Sequence, residues 1–329
     1  MTTRTGSQVI AIEEHYLDAE IDAKINKGAG TGAGIHEKLV DLGALRLKEM
    51  DAAGIDIQVL SHCPPGAQAF DRAEAAERGR GVNDRLHEFV QSRPDRFAAF
   101  ATLPMRDPDS CPDELERCVR ELGFKGALVN GFSQIRDPNT AVYLDLPQYW
   151  PFWEAVESLD VPFYLHPRNP LPSMAQIYEG HPWLLGPTWA FGQETAVHAL
   201  RLMGSGLFDK YPRIQIILGH MGEGLPYSMW RVDNRNAWVK APPRYPAKKK
   251  IAEYFSQNFY LTTSGNFRTQ TLIDAILEIG VDRILFSTDW PFENIDHAAV
   301  WFDAAGISEN DRLKIGRTNA ARLFRLNLG

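Results

Sequence analysis

The stretch Val9-Ile10-Ala11-Ile12-Glu13-Glu14-His15 decides the fold, because four apolar residues run straight into two carboxylates and an imidazole. An unbroken apolar run of this length reads as a strand buried on both faces, in a parallel sheet covered by helices. Seven further stretches share the character: Ile55–Ser61, Phe97–Leu103, Gly126–Asn130, Val161–His166, Ile214–His220, Phe259–Thr263 and Arg283–Asp289. Helical periodicity lies between them, as in Pro112–Leu122 and Pro147–Leu159. Eight strand–helix repeats predict an α/β fold of the closed (β/α)8, TIM-like barrel type. A doubly wound open sheet is the alternative, but its Gly-x-Gly-x-x-Gly turn is missing after the first strand.

The chain has 329 residues, 44% hydrophobic and 23% charged, which suits one large core. No Pro-, Gly- or Ser-rich linker divides it, so a single catalytic domain over residues 1–329 is expected. A net charge of −7 disfavours a nucleic-acid or anionic-membrane partner. The one basic run, Lys248-Lys249-Lys250, reads as a solvated helix start. Residues 1–8 lack an apolar signal core, and no stretch approaches the ~20 apolar residues of a membrane span, so a cytoplasmic location is expected. Cys63, Cys111 and Cys118 make no disulfide framework; the last two, seven apart, are packing residues on one helix face. Gly28–Gly34 lacks the Gly-Lys-Ser/Thr ending of a phosphate cradle and reads as a loop flanking the pocket.

Active sites of such barrels assemble where the strands end. Strand alternation puts Glu13 and His15 on one face and Glu14 on the other, as a structural hydrogen-bond acceptor. The fifth strand ends in His166-Pro167, which places an imidazole at the barrel mouth. The eighth runs Phe286-Ser287-Thr288-Asp289, and a carboxylate after a buried run avoids its desolvation cost by binding a cation. Glu13, His15, His166 and Asp289 are thus candidate ligands of one divalent metal, with Asp289 also able to move a proton. Strand six ends Gly219-His220-Met221-Gly222-Glu223, in which Glu223 orients His220 as a ligand or an acid–base dyad. Lys125 lies at the wrong end of strand four to bridge two metals, which argues for one. Asn130 is a candidate contact for a substrate oxygen, and His62 for the pocket wall.

Ile12-Glu13-Glu14-His15, Leu165-His166-Pro167-Arg168-Asn169-Pro170, Leu218-Gly219-His220-Met221-Gly222-Glu223 and Phe286-Ser287-Thr288-Asp289-Trp290-Pro291-Phe292 together resemble the amidohydrolase-superfamily decarboxylases. The likeness is nearest to the gamma-resorcylate (2,6-dihydroxybenzoate) group and densest from Phe124 to Arg325; Leu17–Ala69 departs most. The resemblance implies metal ligation by Glu13, His15, His166 and Asp289, ring protonation by Asp289, and proton handling by His220 and Glu223. It also implies zinc or manganese, with magnesium a third option, no organic cofactor, a small hydroxybenzoate substrate, and a homotetramer or homodimer. Trp189, Arg231 and Phe292 are expected pocket residues, the aromatics for stacking and Arg231 for an anionic group. Alternatives are a decarboxylase of 2,3-dihydroxybenzoate, salicylate or 5-carboxyvanillate, a mononuclear metal hydrolase on the same ligands, and a metal-stabilised scaffold without catalysis.

Overall fold

The computed structural model describes residues 8–25, 33–239 and 245–327. Its strands are β1 (Ile10–Tyr16), β2 (Ile57–His62), β3 (Phe97–Ala99), β4 (Ala127–Asn130), β5 (Phe163–His166), β6 (Ile216–Leu218), β7 (Phe259–Thr262) and β8 (Ile284–Leu285). All eight expected stretches form strands. β3, β6, β7 and β8 are shorter than expected because their last residues leave the sheet, β4 and β5 begin later than expected, and β1 and β2 run on to Tyr16 and His62. Pairing is parallel and follows chain order in two arcs, β1-β2-β3 and β4-β5-β6-β7-β8.

Both gaps between the arcs are bridged. A parallel pairing of Ala101 with Ala127, supported by Lys125 N–H to Ala99 O at 2.8 Å, joins β3 to β4. At the other gap, His15 N–H donates to Trp290 O at 2.7 Å and Glu13 N–H to Ser287 Oγ at 2.7 Å. The ring closes as a (β/α)8 barrel, with one seam held largely by side chains.

Two apolar layers follow from strand alternation. Ile10 and Ile12, Ile57 and Val59, Ala98 and Phe100, Leu128, Tyr164, Ile217, Tyr260 and Leu285 fill the interior, with Ala320 and Phe324 of the helix Asn319–Phe324 packed against them. The alternate residues, such as Ala11, Leu60, Val129 and Leu165, pack outward against the helices. One irregularity matters. Between Ala11 and Glu14 the β1–β2 register slips by a residue, so β1 carries a bulge. Ile12 therefore faces the interior, and so does Glu13, whose carboxylate meets Tyr164 from the opposite wall.

Helices cover the outside. Cys111 and Cys118 are buried on the helix Cys111–Arg120, and Lys250 precedes the helix Ile251–Asn258. Of the Gly28–Gly34 loop, residues 28–32 lie outside the described residues; the helix Ala33–Val40 follows. Among the described residues, no helix is long and apolar enough to cross a membrane.

The helix Ala190–Gly204 buries His198, whose Nε2 accepts the Leu144 N–H at 3.0 Å. Burial, reinforced by the charges of Arg201 and Arg168, pushes this imidazole down to about 3. Unfolded histidine binds a proton near 6.5 and folded His198 does not, so stability is full above 6.5 and is lost as pH falls toward 3. His198→Gln, which keeps an acceptor for Leu144, should flatten this acid limb by about 1.4 kcal/mol per pH unit below 6. Urea unfolding midpoints of both proteins between pH 7 and pH 4.5 check this.

Candidate metal centre

Parallel strands place all their carboxyl ends at one mouth of the barrel, and the polar residues gather there. Glu13 and His15 are fully buried and His166 is 5% exposed. One ligating atom of each lies within 4.8 Å of the others. Glu13 Oε1 stands 3.4 Å from His166 Nε2 and 3.9 Å from His15 Nε2. Asp289 approaches from β8, its Oδ1 3.3 Å from His15 Nε2. Its backbone is left-handed, at φ 61°, which a non-glycine residue adopts only under constraint from its surroundings.

A cation fits this cluster on the chemistry of the atoms present. Glu13 Oε1 and His15 Nε2 are buried without a hydrogen-bond partner, a state that is costly unless something fills it. The other polar side-chain atoms of these two residues are engaged. His15 Nδ1 meets Ser61 Oγ at 3.1 Å and His166 Nδ1 meets Pro167 O at 2.9 Å, which leaves each Nε2 lone pair aimed at the cluster. Glu13 Oε2 accepts from the Tyr164 hydroxyl and, at 3.4 Å, from Thr262 Oγ1. Glu13, His15, His166 and Asp289 would hold one divalent cation, and two carboxylates with two imidazoles suit manganese or zinc.

Close approach is built into the loops. A β-carbon at Gly219 would sit 3.0 Å from both Glu13 Oε2 and the Tyr164 hydroxyl, and one at Gly265 would sit 2.9 Å from His220 Cδ2. Residues His220 to Gly224 all have positive φ, a left-handed run that folds Glu223 back on its own loop. His220 Nδ1 meets Glu223 Oε1 at 2.8 Å, while His220 Nε2 stands 3.6 Å from Asp289 Oδ2. The helix Leu225–Trp238 is preceded by Gly224 at its N-terminus, so His220 does not cap it. Glu223, His220 and Asp289 instead form a chain of titratable groups at the edge of the ligand cluster.

The electrostatics divide these groups. Burial raises Glu13 and depresses His166 well below the usual imidazole range. Burial would lower His220 too, but Glu223, Glu13 and Asp289 outweigh it and hold the imidazole well above its usual range. Burial would raise Asp289, but the neighbouring imidazoles of His15 and His220 hold it below the usual carboxylate range. The pair is thus an imidazolium beside a carboxylate.

Of the expected substrate contacts, Asn130 is 4% exposed at the end of β4, opposite His166 in register, and its Oδ1 has no hydrogen-bond partner. Phe292 stands edge-on to His15, ring centroids 5.5 Å apart. Trp189 is 54% exposed ahead of the helix Ala190–Gly204, and Arg231 is exposed on the helix Leu225–Trp238; the single chain does not bring either into this cluster. His62 turns away from the mouth: its Nε2 accepts Asp18 N–H at 3.0 Å and its ring packs on Tyr16. Tyr164, Ser61, Thr262 and Ser264 went unread in the sequence. Tyr164 was within reach, two residues before His166 on the same face of β5, whereas Ser61 needs the β1–β2 register that pairs it with His15.

The amidohydrolase family model matches residues 33–326. Gamma-resorcylate decarboxylase of Rhizobium sp. (strain MTP-10005) is 64% identical over 324 residues, covering 97% of this chain and 98% of the relative. A crystal structure of 2,6-dihydroxybenzoate decarboxylase complexed with 2,6-dihydroxybenzoate superposes with a TM-score of 0.93 at 63% identity, over 97% of this chain and all of that one. A dihydroxybenzoic acid decarboxylase from Polaromonas sp. JS666, with bound manganese and the inhibitor 2-nitroresorcinol, gives 0.92 at 62% identity over 98% of each chain. With its barrel, its ligand cluster and this similarity along nearly its whole length, the chain belongs to the amidohydrolase family, among the gamma-resorcylate decarboxylases.

Proposed function

We propose that this protein is a carboxy-lyase that removes carbon dioxide, reversibly and without oxidation, from 2,6-dihydroxybenzoate to give resorcinol. The observation that carries the reading is the placement of Asp289, one oxygen beside the cation ligands and the other beside His220. When bound, the cation supplies a positive centre that draws in the substrate's carboxylate and ortho oxygen and eases negative charge there. The chain's own groups do the rest. Asp289, ionised at rest, delivers a proton received from His220 to the ring carbon that bears the carboxylate. The carbon–carbon bond then breaks, its electrons restore the aromatic ring, and carbon dioxide leaves. His220, kept protonated by Glu223, returns a proton to Asp289.

Asn130 Oδ1, buried and unpaired, accepts a hydrogen bond from a ring hydroxyl, and Phe292 flanks the ring. The relative crystallised with manganese supports that metal, with zinc as its competitor. The proposal extends to one catalytic domain in the cytoplasm. It extends also to a homotetramer or homodimer, supported by the exposed stripe Tyr227, Trp230 and Trp238 along one helix. Any substrate role for Arg231, on that helix, or for Trp189 depends on such packing.

Metal-reconstituted enzyme should release carbon dioxide from 2,6-dihydroxybenzoate and much more slowly from the 2,3-dihydroxy isomer. Release from neither would sink the proposal. Asp289→Asn should retain part of the metal affinity and lose at least about 10³-fold in kcat, read by the same assay. Ser61→Ala frees the His15 imidazole to rotate and should weaken metal binding by about 10-fold, measured by competition with a chelator. Trp230→Glu should shift the particle toward monomer in sedimentation.

A further inference from the structure

Glu14 lies between two metal ligands in sequence yet faces away from the metal cluster, and the reaction leaves it without a task. It is completely buried and accepts four hydrogen bonds. Oε1 takes the Thr288 N–H at 2.8 Å and the Ser287 hydroxyl at 3.1 Å; Oε2 takes the Thr288 hydroxyl at 2.6 Å and Gln58 Nε2 at 3.1 Å. Three of those donors belong to the two residues immediately before Asp289. Ser287 Oγ in turn accepts from Glu13 N–H, so the Glu14 side chain and the β1 backbone grip the same segment.

A second clamp lies behind the first. Arg46, fully buried, donates Nη1 to Gln58 Oε1 at 3.0 Å and Nη2 to the carbonyl of His15, and its guanidinium lies 4.0 Å from the Trp290 ring centroid. Trp290 follows Asp289 directly, and its own carbonyl accepts from His15 N–H. Asp289 is thus fixed from both neighbours, Thr288 by Glu14 and Trp290 by Arg46, which is the constraint its left-handed backbone requires.

We propose that Glu14 is a positioning residue that sets the distance between the first-strand ligands Glu13 and His15 and the acid Asp289, and so controls both metal affinity and proton delivery. Geometry favours this over simple packing, because the carboxylate spans the one seam where backbone pairing gives way to side chains and where the ligands of β1 and β8 meet. An amide at position 14 would turn one NH₂ against donors and loosen Thr288. The inference rests on the metal site, and its affinity arm reads independently of which aromatic acid is decarboxylated.

The test compares Glu14→Gln, Thr288→Val and Thr288→Ser, each loaded with manganese. Expected are a 10- to 100-fold rise in the manganese dissociation constant for Glu14→Gln and a smaller rise for Thr288→Val, with near wild-type binding in Thr288→Ser. At saturating manganese, kcat should stay reduced in the first two while KM changes little, and their manganese paramagnetic resonance spectra should differ from wild type. In the double variant the losses should be less than additive, because both changes break one contact. Wild-type affinity, spectrum and kcat in Glu14→Gln would overturn the proposal. Should that variant not fold, Thr288→Val with wild-type affinity, spectrum and kcat would overturn it equally.

Discussion

The cost of a buried, unneutralised carboxylate governs this barrel. Glu13 has no exposed surface, and one of its oxygens has no hydrogen bond. An isolated charge in such a place would shed itself by taking up a proton. The surroundings are arranged to prevent a collapsed alternative. Tyr164 and Thr262 occupy one oxygen, and glycine at 219 lets the end of β6 pass close over it. Ser61 and the Pro167 carbonyl hold the two imidazoles so that their remaining nitrogens converge on the unpaired Glu13 oxygen. What the protein leaves unsatisfied is as specific as what it satisfies, and together they select a small hard cation with nitrogen and oxygen ligands.

Neighbouring groups then turn one kind of side chain into several. Glu13, Glu14 and Asp289 are all carboxylates within one seam, but they meet different partners: orphaned lone pair, four neutral donors, and two imidazoles. Burial raises Glu13 and raises Glu14 to about 8, while the neighbouring imidazoles of His15 and His220 depress Asp289. Carboxylates made different by environment alone would let one site both hold a metal and move a proton.

Much of this was legible in the residues. The apolar runs ending in Glu13, His166, His220 and Asp289 announced both the barrel and its mouth, because a parallel strand has one polar end that matters. The spacing of His220 and Glu223 foretold their pairing, although not the left-handed run that achieves it. Simple alternation placed Glu13 beside His15 correctly, but it hid the bulge that also turns Ile12 inward, since a one-residue register slip leaves no mark on composition. Arg231 and Trp189 were chosen by residue type, and type says nothing about which side of a helix faces the mouth. Ser61 and Thr288 act through partners more than 40 positions away, so only the folded register reveals them.

The seam also joins the two ends of the chain. Glu14 and Thr288 are 274 residues apart, and the length-dependent entropy of closing such a loop is about 5 kcal/mol. Sequential pairing of the intervening strands brings the two ends together, and the ligands of β1 and β8 face each other across the seam that closes the ring. A cation spanning them would bind the closed ring more tightly than an open precursor and by mass action would favour closure. A cation held there would act as a clasp between the two ends of the barrel's chain.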